Sequence, residues 1–318
     1  MAAAVVVAIV VVIGVVSLSG NGTDGGGDKS GPDSSLSASD TAKAYLEALS
    51  SGDAAKALSF GLAQPSTTEL LTDDILRKQN AKMPISNIRI LDEDKALAGI
   101  GQTTVHVAVN FGQVVDDAKI DLKQDSDQVW KLETAAIKID FLSKPDKGSA
   151  EETVTIFGKD FKNGALYVFP GYLDVASSNE YLTVTSEPVL LEGLRTYMST
   201  SLDPEIKFND EGRQAIQQQL VAAFANCQGS NLLAPPNCPT KVGFSDAVDG
   251  TVNWGPADLS EVNIGDLSPW DMTVLLSGKA KIPLSYRTTS GDTKQGTANA
   301  YIGGAADVSK TPPALNLR

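Results

Sequence analysis

Histidine occurs once in these 318 residues, at His106, and cysteine twice, at Cys227 and Cys238. A Ser-His-Asp or Cys-His site would therefore rest on His106 alone. Zinc takes about four ligands, so no metal site is expected. Ser-x-x-Lys is absent, which excludes the acylating motif of penicillin-binding transpeptidases. Gly-x-Ser-x-Gly, His-Glu-x-x-His and Gly-x-x-x-x-Gly-Lys-Ser/Thr are absent too, and no cofactor motif takes their place. Basic residues are in the minority, 26 against 39 acidic, for a net charge of −13. That balance argues against a nucleic-acid partner, which basic side chains would hold. Proteins, cations and neutral or apolar ligands are the partners left.

Charge is also missing from the first eighteen residues, an apolar run rich in Val and Ile. Residues 1–19 read as a single-pass transmembrane anchor, since about 20 apolar residues span a bilayer. A cleaved signal peptide is the alternative, because Ser17 and Ser19 are small residues at the spacing of a cleavage site. Residues 20–35 are Gly, Ser and Asp in the main and read as a flexible linker. The expected location is the cell membrane with the bulk of the chain extracytoplasmic, or secreted if the segment is cleaved. Ten residues separate Cys227 from Cys238. In an oxidising compartment the pair is expected to form a disulfide, worth about 3 kcal/mol in the chain-entropy model.

Residues 36–145 read as helices followed by strands. Ser39 or Asp40 caps a helix carrying Ala42, Tyr45, Leu46 and Leu49 at helical spacing, and Gly52 ends it. Asp53 opens a second short helix. Ser66 with Glu69 makes a capping box for a third, with Leu70, Leu71, Ile75 and Leu76, which Pro84 stops. The period then changes to two, at Ile88 and Ile90, at Val105, Val107, Val109 and Phe111, at Ile120 and Leu122, and at 129–132. Helices first and an antiparallel sheet after them give an α+β class.

The run from Thr41-Ala42-Lys43-Ala44-Tyr45-Leu46 through Gly52-Asp53 to Ala57-Leu58, with 71–76 and the late Val129-Trp130-Lys131-Leu132, resembles the nuclear-transport-factor-2-like (cystatin-like) superfamily. It is similar in particular to membrane-anchored members of actinobacterial envelopes. The likeness covers about a third of the chain and consists of shape motifs, without chemistry. It implies helices wrapped on a curved sheet, forming a cone with a pocket. Some members of that family are enzymes, some bind small molecules, and many hold other proteins.

Residues 150–195 read as a small β module with an Asn163-Gly164 turn and a Phe169-Pro170-Gly171-Tyr172 segment. Its strands alternatively belong to the sheet of the region after it. Residues 200–318 begin with a helix capped by Asn209 or Asp210, in which Ile216, Leu220, Phe224 and Cys227 share one face. A meander follows, with strands expected at 242–248, 252–254, 272–276, 282–286 and 293–302. A second cone-like domain is one reading of this plan.

His106 alternates with Val105 and Val107, so it faces either the inside of a cone or solvent. The plain reading is an ordinary strand histidine, and the weak catalytic reading is an acid or base. Asp116-Asp117 reads as a turn. Trp130, Trp254 and Trp270 are pocket candidates, with core packing the default for Trp130. The chain is therefore expected to be a non-enzymatic binding or scaffolding protein of the envelope, meeting envelope proteins or an apolar small molecule. The alternatives are a subunit of a trans-envelope secretion or transport machine, and an isomerase- or cyclase-like enzyme using a cone pocket.

Overall fold

Ser37 accepts the Asp40 N–H at 3.1 Å and so caps α1 (Ala38–Ser51), two residues before the first expected cap. Gly52 closes the helix in the left-handed region, at φ 78°. Asp53 caps α2 (Ala54–Ser59), and β1 (Gly61–Ala63) follows. The expected Ser66 capping box does not form. Thr72 caps α3 (Asp73–Lys82) through the Ile75 N–H, leaving the buried Leu70 and Leu71 ahead of the helix and placing Asp73 and Asp74 in its first turn.

The computed structural model describes residues 36–141, 144–160, 166–195 and 199–317. In the first region β2 (Ile85–Asp94), β3 (Gln102–Phe111), β4 (Val114–Gln124) and β5 (Trp130–Thr134) make a sheet of order β1-β5-β4-β3-β2, antiparallel except where β1 joins β5. A two-residue turn at Gly112 and Gln113 sets the β3–β4 register, in which Val105 faces Ile120 and Val107 faces Ala118. These residues, with Val109 and Phe111, pack against Tyr45, Leu46 and Leu49 of α1.

Short strands continue as β6 (Ile137–Phe141), β7 (Val154–Ile156), β8 (Lys159–Asp160), β9 (Leu166–Val168), β10 (Val175–Ser177), β11 (Leu182–Thr185), β12 (Thr200–Leu202) and β13 (Glu205–Phe208). They pair as β10-β7-β8, β12-β6-β9 and β11-β13. Ile156, Val168, Phe169 and Leu191 join the core under α1, whereas Ala150, Tyr181 and Leu182 join the core of the last region. The Phe169-Pro170-Gly171-Tyr172 segment is pinned to α3. There the buried Gln79 side chain donates to the Phe169 carbonyl at 3.1 Å and the Tyr172 carbonyl at 2.9 Å.

Asn209 caps α4 (Asp210–Gln228) by accepting the Gly212 N–H, and Ile216, Leu220, Phe224 and Cys227 are buried on one face as expected. They lie on a sheet of β14 (Asn253–Trp254), β15 (Asp258–Ser268), β16 (Thr273–Arg287), β17 (Thr293–Asp307) and β18 (Ala314–Leu317). The β16–β17 hairpin pairs without interruption from Thr273↔Asp307 to Arg287↔Thr293, while β14 and β15 share the other edge of β16. Cys227 and Cys238 form a disulfide with Cα atoms 5.0 Å apart, which is consistent with an extracytoplasmic protein. The strand expected at 242–248 is a loop. Phe244 stacks on Tyr286 with ring centroids 5.2 Å apart, Lys294 donates to Asp246 at 2.7 Å, and Thr240 donates to the Asn299 carbonyl at 3.3 Å. Strand pairing there shrinks to one bridge, Ala247 with Thr288, flanked by the Val248 N–H to the Arg287 carbonyl and the Thr289 N–H to the Asp246 carbonyl, both at 2.9 Å, and side-chain packing holds the rest.

Two expectations are corrected. The described residues are β-rich, 43% strand against 22% helix with four α-helices, and do not make an α+β cone of helices on a curved sheet. The physical reason lies in the core. Among the described residues Tyr45, Phe60, Phe111, Leu46, Leu49 and Leu76, all fully buried, fill the core between the helices and the sheet, where a cone would keep a hollow. A second cone does not form in 200–318 either, where one helix lies on a sheet dominated by a long hairpin. The second correction concerns the membrane location. The anchor at 1–19 and the linker at 20–35 lie outside the described residues, and among the described residues no helix is long and apolar enough to cross a membrane.

Candidate functional site

His106 sits on the sheet face turned away from α1, in register with Asp92 of β2 and Lys119 of β4. Its Nε2 makes a short contact with Asp117 Oδ1, and the side chain is 33% exposed. The inward positions of β3 are the valines, so the alternation that defines the strand also sends His106 out of the core. Among the described hydrogen bonds, the His106 ring meets the Asp117 carboxylate and no hydroxyl or thiol.

Asp116 and Asp117 are strand residues, which corrects the turn reading, and they point to opposite faces. Asp117 meets His106. Asp116 is 9% exposed and its Oδ2 accepts the Leu191 N–H at 2.9 Å. Burial pushes its carboxyl pKa upward, the Leu191 hydrogen bond opposes that, and the charges of Glu192 and Asp117 add to it. Nothing local in the sequence ties residue 116 to residue 191. The reason is topological: β5 pairs with β4 only from Leu122 to Gln124, and the 3₁₀ turn Leu191–Arg195 lies against the part of β4 left over.

That turn also borders a concave surface with polar and apolar lining. A cleft of about 170 Å³ lies among Gln64, Glu133, Lys138, Tyr167, Leu194 and Arg195. Lys138 and Tyr167 are cross-strand partners of β6 and β9, so both project from one face of that small sheet. Arg195 reaches Asp121 at 3.4 Å and Glu192 at 3.5 Å. Glu133 is held by Lys123 at 2.7 Å and borders a second cleft, of about 220 Å³, with Asp94, Thr104 and Asp121. Thr104 Oγ1 donates to Asp121 at 2.7 Å. The Lys123–Glu133 and Arg195–Asp121 ion pairs thus link the linings of the two clefts, which share Glu133. The lining of the first includes no Ser, Cys or His. Its members come from positions 63 to 195, and the sequence singles out none of them because they are ordinary residues until the chain folds.

The remaining candidates fall elsewhere. Trp130 is partly buried against the first core. Trp254 is buried in the second and donates to the Leu232 carbonyl at 3.1 Å, and Trp270 is exposed in the β15–β16 turn. Among the described residues no group of three or more His, Cys, Asp or Glu side chains is placed to hold a metal ion. Compared with protein-family models, with curated proteins and with solved structures, the chain matches none.

Proposed function

We propose that this protein acts by binding and not by turnover, and that the cleft beside β5, β6 and the turn 191–195 receives the bound group. The observation that carries this reading is the convergence of Gln64, Glu133, Lys138, Tyr167 and Arg195 from five separate stretches of chain around one concave surface. Such a surface offers apolar contact at Leu194, a phenol and an ammonium at Tyr167 and Lys138, and a carboxylate already held in place. It suits a side chain or terminus of an extracytoplasmic protein partner. An isomerase-like alternative has to use the His106–Asp117 pair, which lies on an open sheet face.

Photo-cross-linking in the native host separates the two. A photoreactive residue at Tyr167 should give a defined adduct, the adduct should disappear with Lys138→Glu, and His106→Gln should leave it and the biological activity intact. Loss of activity in a folded His106→Gln protein, with no adduct at Tyr167, would replace the binding reading with the enzymatic one.

A further inference from the structure

From Gln214 to Thr240 the chain has no Asp, Glu, Lys, Arg or His, although 20% of all its residues are charged. The charges of α4 are confined to its first turn, at Asp210, Glu211 and Arg213. The inner side of the helix is accounted for by Ile216, Leu220, Phe224 and Cys227 on the sheet. Its outer side repeats the helical spacing with Gln214, Gln217, Gln218, Val221 and Ala222, which border a shallow groove of about 430 Å³. Val221 is 55% exposed there. The uncharged surface continues past the end of the helix through the exposed Leu232 and Pro236.

We infer that this face of α4 is where a second copy of the chain docks, with the two helices antiparallel about a two-fold axis near Gln218. Charge selects the occupant. Each copy carries −13, so two copies repel over most of their surfaces and can close only where no charge is brought together. A basic partner would be drawn to the acidic surfaces and gain nothing from this one. The chemistry is also its own complement, because each Gln amide both donates and accepts and a two-fold axis sets amide against amide. Val221 and the small Ala222 let two helix axes approach to about 8 to 10 Å, with ridges of one lying in the groove of the other. Loss of charge at the centre of a contact is the compositional mark of protein interfaces. One helix face is smaller than the roughly 800 Å² per partner of a standard interface, so the dimer is weak and concentration-dependent.

The test uses the full chain with a photoreactive residue at Gln218 and, as control, at the exposed Trp270. Cross-linking at Gln218 should give a species of twice the chain mass whose fraction rises with protein concentration, and Trp270 should give none. Val221→Glu and Gln218→Lys, both at exposed helix positions, should each keep the circular dichroism of the parent. Each should lower the dimer fraction in sedimentation at least tenfold. Three results would overturn the inference: no two-chain adduct at Gln218 at hundreds of micromolar, an adduct there with a different protein in cells, or unchanged self-association in the two charged variants.

Discussion

The Asp116 carboxylate accepts the Leu191 N–H at 2.9 Å across 75 residues of sequence and, with the Arg195–Asp121 pair, fastens the turn 191–195 to the free part of β4. The same carboxyl has its pKa raised, chiefly by burial. An unfolded aspartate titrates near 3.9, so between that value and the raised one the folded chain holds the extra proton. Stability therefore falls as pH rises through this window and stays lower above it. Asp116→Asn keeps an acceptor for Leu191 and removes the charge. Urea unfolding at pH 3.5 to 7 should show a flatter profile for the variant and equal or greater stability at pH 7. A variant less stable at pH 7 with the parent's slope would refute the assignment.

Tyr45 is fully buried under the sheet and its hydroxyl donates to the Ala135 carbonyl at 2.9 Å. Tyr45→Phe leaves that carbonyl without its partner and should cost about 1 to 2 kcal/mol, read as a lower urea midpoint. Burial pushes the phenol pKa well up, whereas an unfolded tyrosine titrates near 10. The folded chain keeps the proton there, so stability should fall above about pH 10, and part of that loss should vanish in the phenylalanine variant.

With the disulfide closed, neither Cys227 nor Cys238 should be alkylated before reduction, as mass spectrometry can show. Replacing both by serine should lower stability by about 3 kcal/mol. Hydrogen exchange should speed up first in residues 239–248, whose Thr240, Phe244 and Asp246 contacts follow directly after the cross-link. Uniformly faster exchange across the chain would count against this local coupling.

Gly278 holds β15 and β16 in their close register, at φ 129° and facing Val262. An added Cβ would stand 2.1 Å from the Glu261 carbonyl oxygen, a backbone atom that cannot turn aside. Gly278→Ala should therefore cost about 2 kcal/mol or more and open the β15–β16 pairing, seen as lost amide protection between 261 and 264. Unchanged protection there would show that the edge strand contributes little.

The alternation of Val105, Val107, Val109 and Phe111 was enough to place β3 and its buried face and to put His106 on the opposite face, while only the fold showed that this face is turned away from α1. Helical spacing put Ile216, Leu220, Phe224 and Cys227 on one face of α4, and the short separation of two cysteines in a chain with no others pointed to their bond. These signals are local, because the burial of one face repeats within a single element. Tertiary structure alone decided what each element meets. Tyr45, Phe60 and Phe111 fill the core where a cone would keep a hollow, residues 242–248 meet β16 through one bridge and the Phe244–Tyr286 stack in place of a full strand, and the 191–195 turn made a cleft from Lys138, Tyr167 and Arg195. Such contacts join residues tens of positions apart, and their partners are chosen by how volumes and strand edges fit once the chain has closed, for which no pattern along the sequence is required.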